Sequence, residues 1–175
     1  LQFLFNKLKL NFHFPDELKT NIPEKYPYPC RLSSIQSEIG ISQINNIENN
    51  LKHRRNLTKL IEKKIKWYNF TNNQIDQYSW LRYSFLIKNR NVFLSKIKSK
   101  LDMGIWYTSV VGGRDFNLHD VGYIKGSCKT AEFVCENIVN IPTHLRINKS
   151  LLDEIIFENL DWIKKHLINP KNLKI

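Results

Sequence analysis

"GSCKTAEFVCENIVNIPTH", residues 126–144, reads as a glycine turn, a short amphipathic helix and an abrupt stop. Ala131, Val134, Cys135 and Ile138 recur at helical spacing, which predicts a helix over 129–139 with one apolar side. Pro142 forces that helix to end, because proline disfavours helical backbone in the residue before it. Downstream, Ser150 and Asp153 are placed to cap a terminal helix whose Leu151, Leu152, Ile155, Ile156, Leu160, Ile163 and Leu167 face inward.

Upstream the period changes. In "WLRYSFLIK" (80–88), Leu81, Tyr83, Phe85 and Ile87 alternate with Arg82, Ser84 and Lys88, the pattern of a half-buried strand. "NRNVFLSKIKSKLD" (89–102) spaces Val92, Leu94, Ile97 and Leu101 as a helix that ends near Gly104. "IWYTSVV" (105–111) is a second strand candidate, closed by the Gly112-Gly113 turn.

Further back, Pro15, Pro23, Pro27 and Pro29, with Tyr26 and Tyr28 among them, forbid a regular helix and define an extended connector. Ser33 and Gln36 then form a capping-box pattern that starts a long helix. Ile35, Ile39, Ile44, Ile47, Leu51, Ile61, Ile65 and Tyr68 give that helix one apolar stripe, and His53, Arg54, Arg55, Lys59 and their basic neighbours occupy its other faces. The element order is long helix, strand, helix, strand, short helix, terminal helix. That order defines an α+β fold, a short sheet covered on one face by helices, and divides the chain into 1–32, 33–68 and 69–175.

The 175 residues suit one ordinary domain, and a hydrophobic fraction of 42% is sufficient for a core. A net charge of +11 favours an anionic partner, yet an excess of lysine also serves as a solvated basic surface. No nucleic-acid module is spelled out, so a polyanion-binding role for the basic face at 52–66 is a lesser alternative. Cys30, Cys128 and Cys135 are odd in number and never spaced as Cys-x-x-Cys, which points to small apolar packers in a reducing, cytoplasmic compartment. "LQFLFNKLKLNFHF" at the start is broken by Asn6, Lys7 and Lys9 well short of the roughly 20 apolar residues of a membrane span. Because the chain begins at Leu1, a fragment or processed product is expected.

The familiar metalloprotease, hydrolase and nucleotide-hydrolase motifs do not occur. His119-Asp120 reads as a solvated pair, "GGR" at 112–114 as a turn with weak anion-nest character, and His144 as either a surface residue or a ligand contact. Arg31 can hold a phosphate bidentately or form a surface ion pair. Trp106 and Tyr107 can stack on a sugar or base, or divide between core and surface. From the residues alone the reading is a basic α+β domain with a possible phosphate ligand.

Three stretches in register carry a resemblance. "CRLSSIQSEIGISQINNIENNLKHRR" (30–55) resembles an Asn-Tyr-Arg-Met-Ser segment and the long helix after it. "LRYSFLIKNRNVFLSKIKSKLDMGIWYTSVV" (81–111) looks like a small-domain strand, helix and strand. "GYIKGSCKTAEFVCENIVNIPTHLRINKSLLDEII" (122–156) is similar to a signature of Gly-Ser-Cys-Pro, a short helix, Asn-Leu-Pro-Thr-His and the last helix. All three are features of the DegT/DnrJ/StrS sugar-nucleotide aminotransferases, which the chain resembles from about position 27 to the C-terminus.

The resemblance implies the C-terminal part of a fold-type I transferase dependent on pyridoxal phosphate. Such an enzyme moves an amino group, usually from glutamate, to a nucleotide-linked keto sugar, and works as a homodimer. The family's Schiff-base lysine lies upstream of the Asn-Tyr-Arg segment, so no catalytic residue is assigned to this chain and it is expected to be inactive alone. Arg31 matches the motif arginine, which faces the substrate phosphate of the neighbouring subunit. The preceding Asn-Tyr is replaced by Pro29-Cys30, and Lys129 stands where proline is common. Trp106 and Tyr107 fall on the strand that faces the substrate in the family. A non-catalytic interaction module of the same fold is the alternative.

Overall fold

The computed structural model describes residues 31–97, 100–101, 103, 105–111 and 117–169. The Pro/Tyr connector, Cys30, Gly104 and the Gly112-Gly113-Arg114 turn lie outside the described residues. Contacts divide the chain into two units, one ending at Ile39 and the other beginning at Gly40.

The first helix, α1 (Ser34–Asn45), starts at the expected capping box. The Ser33 amide donates to Gln36 Oε1 at 2.8 Å and the Gln36 amide to Ser33 Oγ at 3.3 Å. These reciprocal bonds satisfy donors that a helix start leaves open. The expected single long helix is in two pieces, because Asn46 donates its side-chain amide to the Ser42 carbonyl at 2.9 Å and leaves helical geometry before α2 (Ile47–Ile65) begins. Asparagine competes for local backbone groups in this way. At the other end Lys66 adopts a left-handed conformation with φ 56°, and its amide caps back to the Glu62 carbonyl, so α2 stops short of Tyr68.

The apolar stripe divides with the helix. Ile61 and Ile65 are buried, whereas Ile35 is 74% exposed and Ile39, Ile44 and Ile47 are exposed as well. After α2 come α3 (Asn72–Asp76), with a capping box from Thr71 and Gln74, and the strand β1 (Arg82–Leu86). Tyr83, Phe85 and Ile87 are buried as the alternation predicts; Leu81 precedes the strand and is 55% exposed, and Leu86 is buried in its place.

The partner strand is not "IWYTSVV". Among the described residues β1 pairs antiparallel with β2 (Ile138–Pro142), in a register that sets Tyr83 opposite Ile141 and Phe85 opposite Val139. The helix α5 (Lys129–Asn137) gives way to β2 without a loop, as Ile138 takes extended backbone at φ −71° and ψ 135°. The β-branched run Ile138, Val139, Ile141 suits a pleated, buried surface, and Pro142 sits at the strand end where its missing N–H costs least. Residues 105–111 are bends and irregular backbone.

The helix α4 (Arg90–Ile97) follows β1, and a short 3-10 turn (Leu118–Val121) precedes α5. The terminal helix is also segmented, into α6 (Lys149–Leu152), a π-helical turn (Asp153–Phe157) and α7 (Leu160–His166). Its cap is Asn148, which accepts from the Leu151 amide at 2.9 Å, in place of the expected Ser150. At the end of α7, the Lys88 amide bonds to His166 O and the Ile168 amide to Leu86 O, so residues 166–168 run along the free side of β1.

One core results: Tyr83, Phe85, Val139 and Ile141 from the sheet meet Leu57, Ile61 and Ile65 from α2, Phe93 and Ile97 from α4, and Leu152, Ile155, Ile156 and Ile163 from the terminal helices. This is a mixed helical fold on a small antiparallel sheet. Among the described residues no helix is long and apolar enough to cross a membrane.

Candidate functional site

The antiparallel register determines which side chains share the outer surface of the sheet: Ser84 stands opposite Asn140, and Arg82 opposite Pro142. Asn140, only 2% exposed, uses both ends of its amide. Its Nδ2 donates to Ser84 Oγ at 2.8 Å, and its Oδ1 accepts from the Trp106 backbone amide at 2.8 Å. The segment expected to be a strand is therefore held to the sheet by a side chain.

That anchor places Trp106 beside Arg82. The Arg82 guanidinium lies over the indole at 4.5 Å from the ring centroid and also donates to the Met103 carbonyl. Such a cation over an aromatic face is attractive by about 0.5–1 kcal/mol at an exposed site. The Trp106 and Tyr107 rings stack with centroids 6.1 Å apart and planes 15° apart. Both remain exposed, at 44% and 55%. Two accessible aromatic rings held beside a guanidinium can take a ring or sugar face together with a negative charge.

Asn140→Ala is expected to cost about 2 kcal/mol, since it removes two hydrogen bonds from a buried position. The Trp106 contribution to acrylamide quenching, obtained by difference from Trp106→Phe, should rise as the 105–111 segment loosens. Unchanged quenching would show that something other than Asn140 anchors the segment.

Four basic side chains gather at the turn after β2. The Arg54 guanidinium donates to Asn50 Oδ1 at 2.6 Å, to Leu81 O at 3.1 Å and to Thr143 Oγ1 at 3.4 Å. The His53 ring bonds to Ile147 O at 2.9 Å, and the Arg146 amide donates to His144 Nδ1 at 3.2 Å. Burial, then the charges of Arg54, Arg146, Arg82 and His53, hold His144 below the usual histidine range. Nδ1 is thus an acceptor, while the ring as a whole stays exposed.

The other sequence candidates resolve separately. Arg31 is exposed, has no hydrogen-bond partner among the described residues, and belongs to the unit ending at Ile39, whereas Trp106 and Tyr107 belong to the second. His119 and Asp120 do meet, Nε2 to Oδ1 at 2.9 Å, on an exposed turn where the pair is solvated. The basic face of α2 is largely tied into the fold: besides Arg54, Arg55 donates to Tyr78 O at 3.1 Å and Lys59 pairs with Asp76 at 2.7 Å. Among the described residues no cluster of histidine, cysteine and carboxylate side chains fits a metal ion.

A groove of about 780 Å³ runs along the end of α2, lined by Lys59, Lys63, Lys66, Asn69 and Phe70. Neither Trp106 nor His144 lines it, so this hollow and the side chains with ligand chemistry do not coincide. Sequence reading missed Arg82 and Asn140 as site residues. The alternation of β1 placed Arg82 on the outer face, but nothing local tied it to Trp106.

No curated protein and no solved structure matches the chain. A family model does, over residues 15–158, which takes in the sheet, the Trp106–Tyr107 pair and the turn after β2. By that match the chain belongs to the DegT/DnrJ/EryC1/StrS aminotransferase family.

Proposed function

We propose that the chain forms the C-terminal part of a pyridoxal-phosphate-dependent aminotransferase acting on a nucleotide-linked keto sugar, with glutamate as the amino donor. Residues 1–32 would close the large domain, 33–68 connect, and 69–175 form the small domain. The family match over residues 15–158 carries the proposal. The exposed Trp106–Tyr107 pair with its guanidinium adds to it, because a nucleotide-linked sugar offers ring faces and phosphate together. Arg31 would meet the substrate phosphate in the neighbouring subunit of a homodimer. The exposed isoleucines of α1 suit a surface that a partner covers.

Pyridoxal phosphate supplies the family's amino-group chemistry through a lysine that must be unprotonated to react. The described lysines do not fit that role. All are exposed except Lys59, which is half-buried and paired with Asp76. No step is therefore assigned to the described lysines, and the contribution of this chain is to bind and orient substrate through Trp106, Tyr107 and Arg82.

The test is a pyridoxal-phosphate titration with borohydride trapping, on this chain and on a polypeptide in which the family's lysine-bearing large domain precedes it. The expected result is a trapped adduct in the longer polypeptide alone, with amino transfer to a keto sugar nucleotide lowered by Trp106→Ala. A stoichiometric adduct on a single lysine of this chain would overturn the assignment of no catalytic residue. A longer polypeptide that folds, binds the cofactor and transfers to no sugar nucleotide would favour the second reading, a non-catalytic interaction module. The exposed isoleucines of α1 are the observation behind that reading.

A further inference from the structure

Like charges gathered on one turn raise the free energy of the folded state unless something opposite completes them. The turn from Pro142 to Ile147 is such a place. Four contacts converge there from three elements: Arg54 of α2 reaches Thr143, His53 of α2 reaches Ile147, Arg82 of β1 stands opposite Pro142, and Arg146 donates its amide to His144. Among the described residues none of Arg54, Arg82, Arg146, His53 or His144 is in an ion pair. The described ion pairs are Lys59–Asp76, Lys100–Glu154 and His119–Asp120. The groups bearing electrostatically on His144 are Arg54, Arg146, Arg82 and His53, all bases, with no carboxylate among them.

The alternatives to a ligand explain only part of this. Arg54 is needed for the fold, as its guanidinium ties α2 to Leu81 and Thr143. Arg146 is not, for only its backbone amide bonds within the protein and its side chain is exposed. His144 is likewise exposed, and its Nδ1 is already occupied by the Arg146 amide, which leaves Nε2 as the group free to donate. Arg146 thus adds a guanidinium, and the ring of His144 an Nε2–H donor, to one surface without a partner for either among the described residues.

We infer that the turn at residues 142–147, ringed by Arg54, Arg82, Arg146, His53 and His144, is a binding site for a phosphate-type oxyanion. The anion accepts charge-assisted hydrogen bonds from the arginine guanidiniums and a hydrogen bond from His144 Nε2–H, and the proton that it draws onto the ring enters at Nδ1 and displaces the Arg146 amide. The sign of the pH dependence follows. An anion raises the His144 pKa in the bound state, so affinity is full at low pH and is lost as pH rises through the bound-state pKa. The neighbours that set this titration are Arg54 and His53 from α2, Arg82 from β1 and Arg146 from the turn itself. The site stands on these charges and not on the aminotransferase reading.

Sulfate is the probe for the pH arm, because its charge does not change near neutral pH. In the 175-residue chain, at ionic strength held constant with chloride, sulfate should shift the His144 ring resonances saturably and move their titration midpoint upward. Arg146→Gln should weaken binding about tenfold, and Lys164→Gln, a remote exposed lysine, should leave it unchanged. A shift that chloride reproduces, a midpoint that does not move, or equal loss in Arg146→Gln and Lys164→Gln would overturn the site.

Uridine diphosphate then distinguishes the source of the oxyanion. Binding tighter than sulfate, with fluorescence quenching that Trp106→Phe abolishes, assigns the phosphate to a nucleotide stacked at Trp106. Affinity equal to sulfate without quenching assigns the site to a free oxyanion. If uridine diphosphate binds without disturbing His144, the inference fails even where the aminotransferase reading survives.

Discussion

Phe85→Ala is expected to lose about 3–5 kcal/mol of folding stability, much of what a domain of this size has. Phe85 is fully buried in β1, faces Val139 across the pair, and lies 6.3 Å from the Tyr83 ring. The two-stranded sheet has only one apolar face with which to bind α2, α4 and the terminal helices, and Phe85 is at its centre. Truncation removes the transfer free energy of a ring and leaves a cavity that strands fixed in register cannot close. Leu81→Ala, one residue before the strand and exposed, should stay within about 0.5 kcal/mol. The denaturant midpoints of the two variants check this contrast, and similar losses in both would mean that β1 does not anchor the core.

The same contrast shows which parts of the fold were legible in the sequence. Period-two alternation identified β1, and the Ser33–Gln36 box identified the start of α1, because both signals lie within a few residues. The second strand was hidden by its junction. Ala131, Val134, Cys135 and Ile138 keep helical spacing up to the residue where the backbone becomes extended, and a short apolar run does not tell helix from strand. "IWYTSVV" has strand composition, yet its amide bonds to Asn140, a contact across 34 positions that no local pattern encodes. Asn46, which interrupts the long helix, was visible, but its competition with the backbone depends on the side chain reaching Ser42 O.

The candidate site divides in the same way. Trp106 and Tyr107 stood out by residue type, since paired aromatics invite stacking on a sugar or base. Arg82 became part of the site only through the register with residues 138–142, and the basic ring around His144 only through the joining of α2, β1 and the turn after β2. A lone histidine in a sequence carries no information about five basic side chains brought together by folding. Family resemblance helped because it joins distant stretches in one statement, which composition and periodicity cannot do.

Glu62→Ala is expected to lose about 3 kcal/mol, because Glu62 is a buried carboxylate that serves two elements at once. It sits in α2 at 5% exposure, accepts from the Tyr83 hydroxyl, and accepts from the Phe70 amide at 3.2 Å. Without it the Tyr83 hydroxyl and the Phe70 amide are both left without a partner in an aromatic cluster of Tyr68, Phe70, Trp80 and Tyr83. Tyr83→Phe on the same background should recover part of the loss, since it removes one of the two orphaned groups.

The pH dependence supplies a separate readout. Burial first, and the Glu62 carboxylate second, push the Tyr68 hydroxyl up from 10.0 to about 12, and burial and the Glu62 hydrogen bond push Tyr83 in the same direction. A group whose pKa is raised by folding stabilises fully below its unfolded value and loses that stabilisation as pH rises through its folded value. Stability should therefore hold up to about pH 10 and fall above it. Removing Glu62 should lower the pH at which both tyrosines ionise, which ultraviolet difference spectroscopy at 295 nm reads directly. If Glu62→Ala leaves the tyrosine titration and the denaturant midpoint where they were, the carboxylate does not hold α2 to β1.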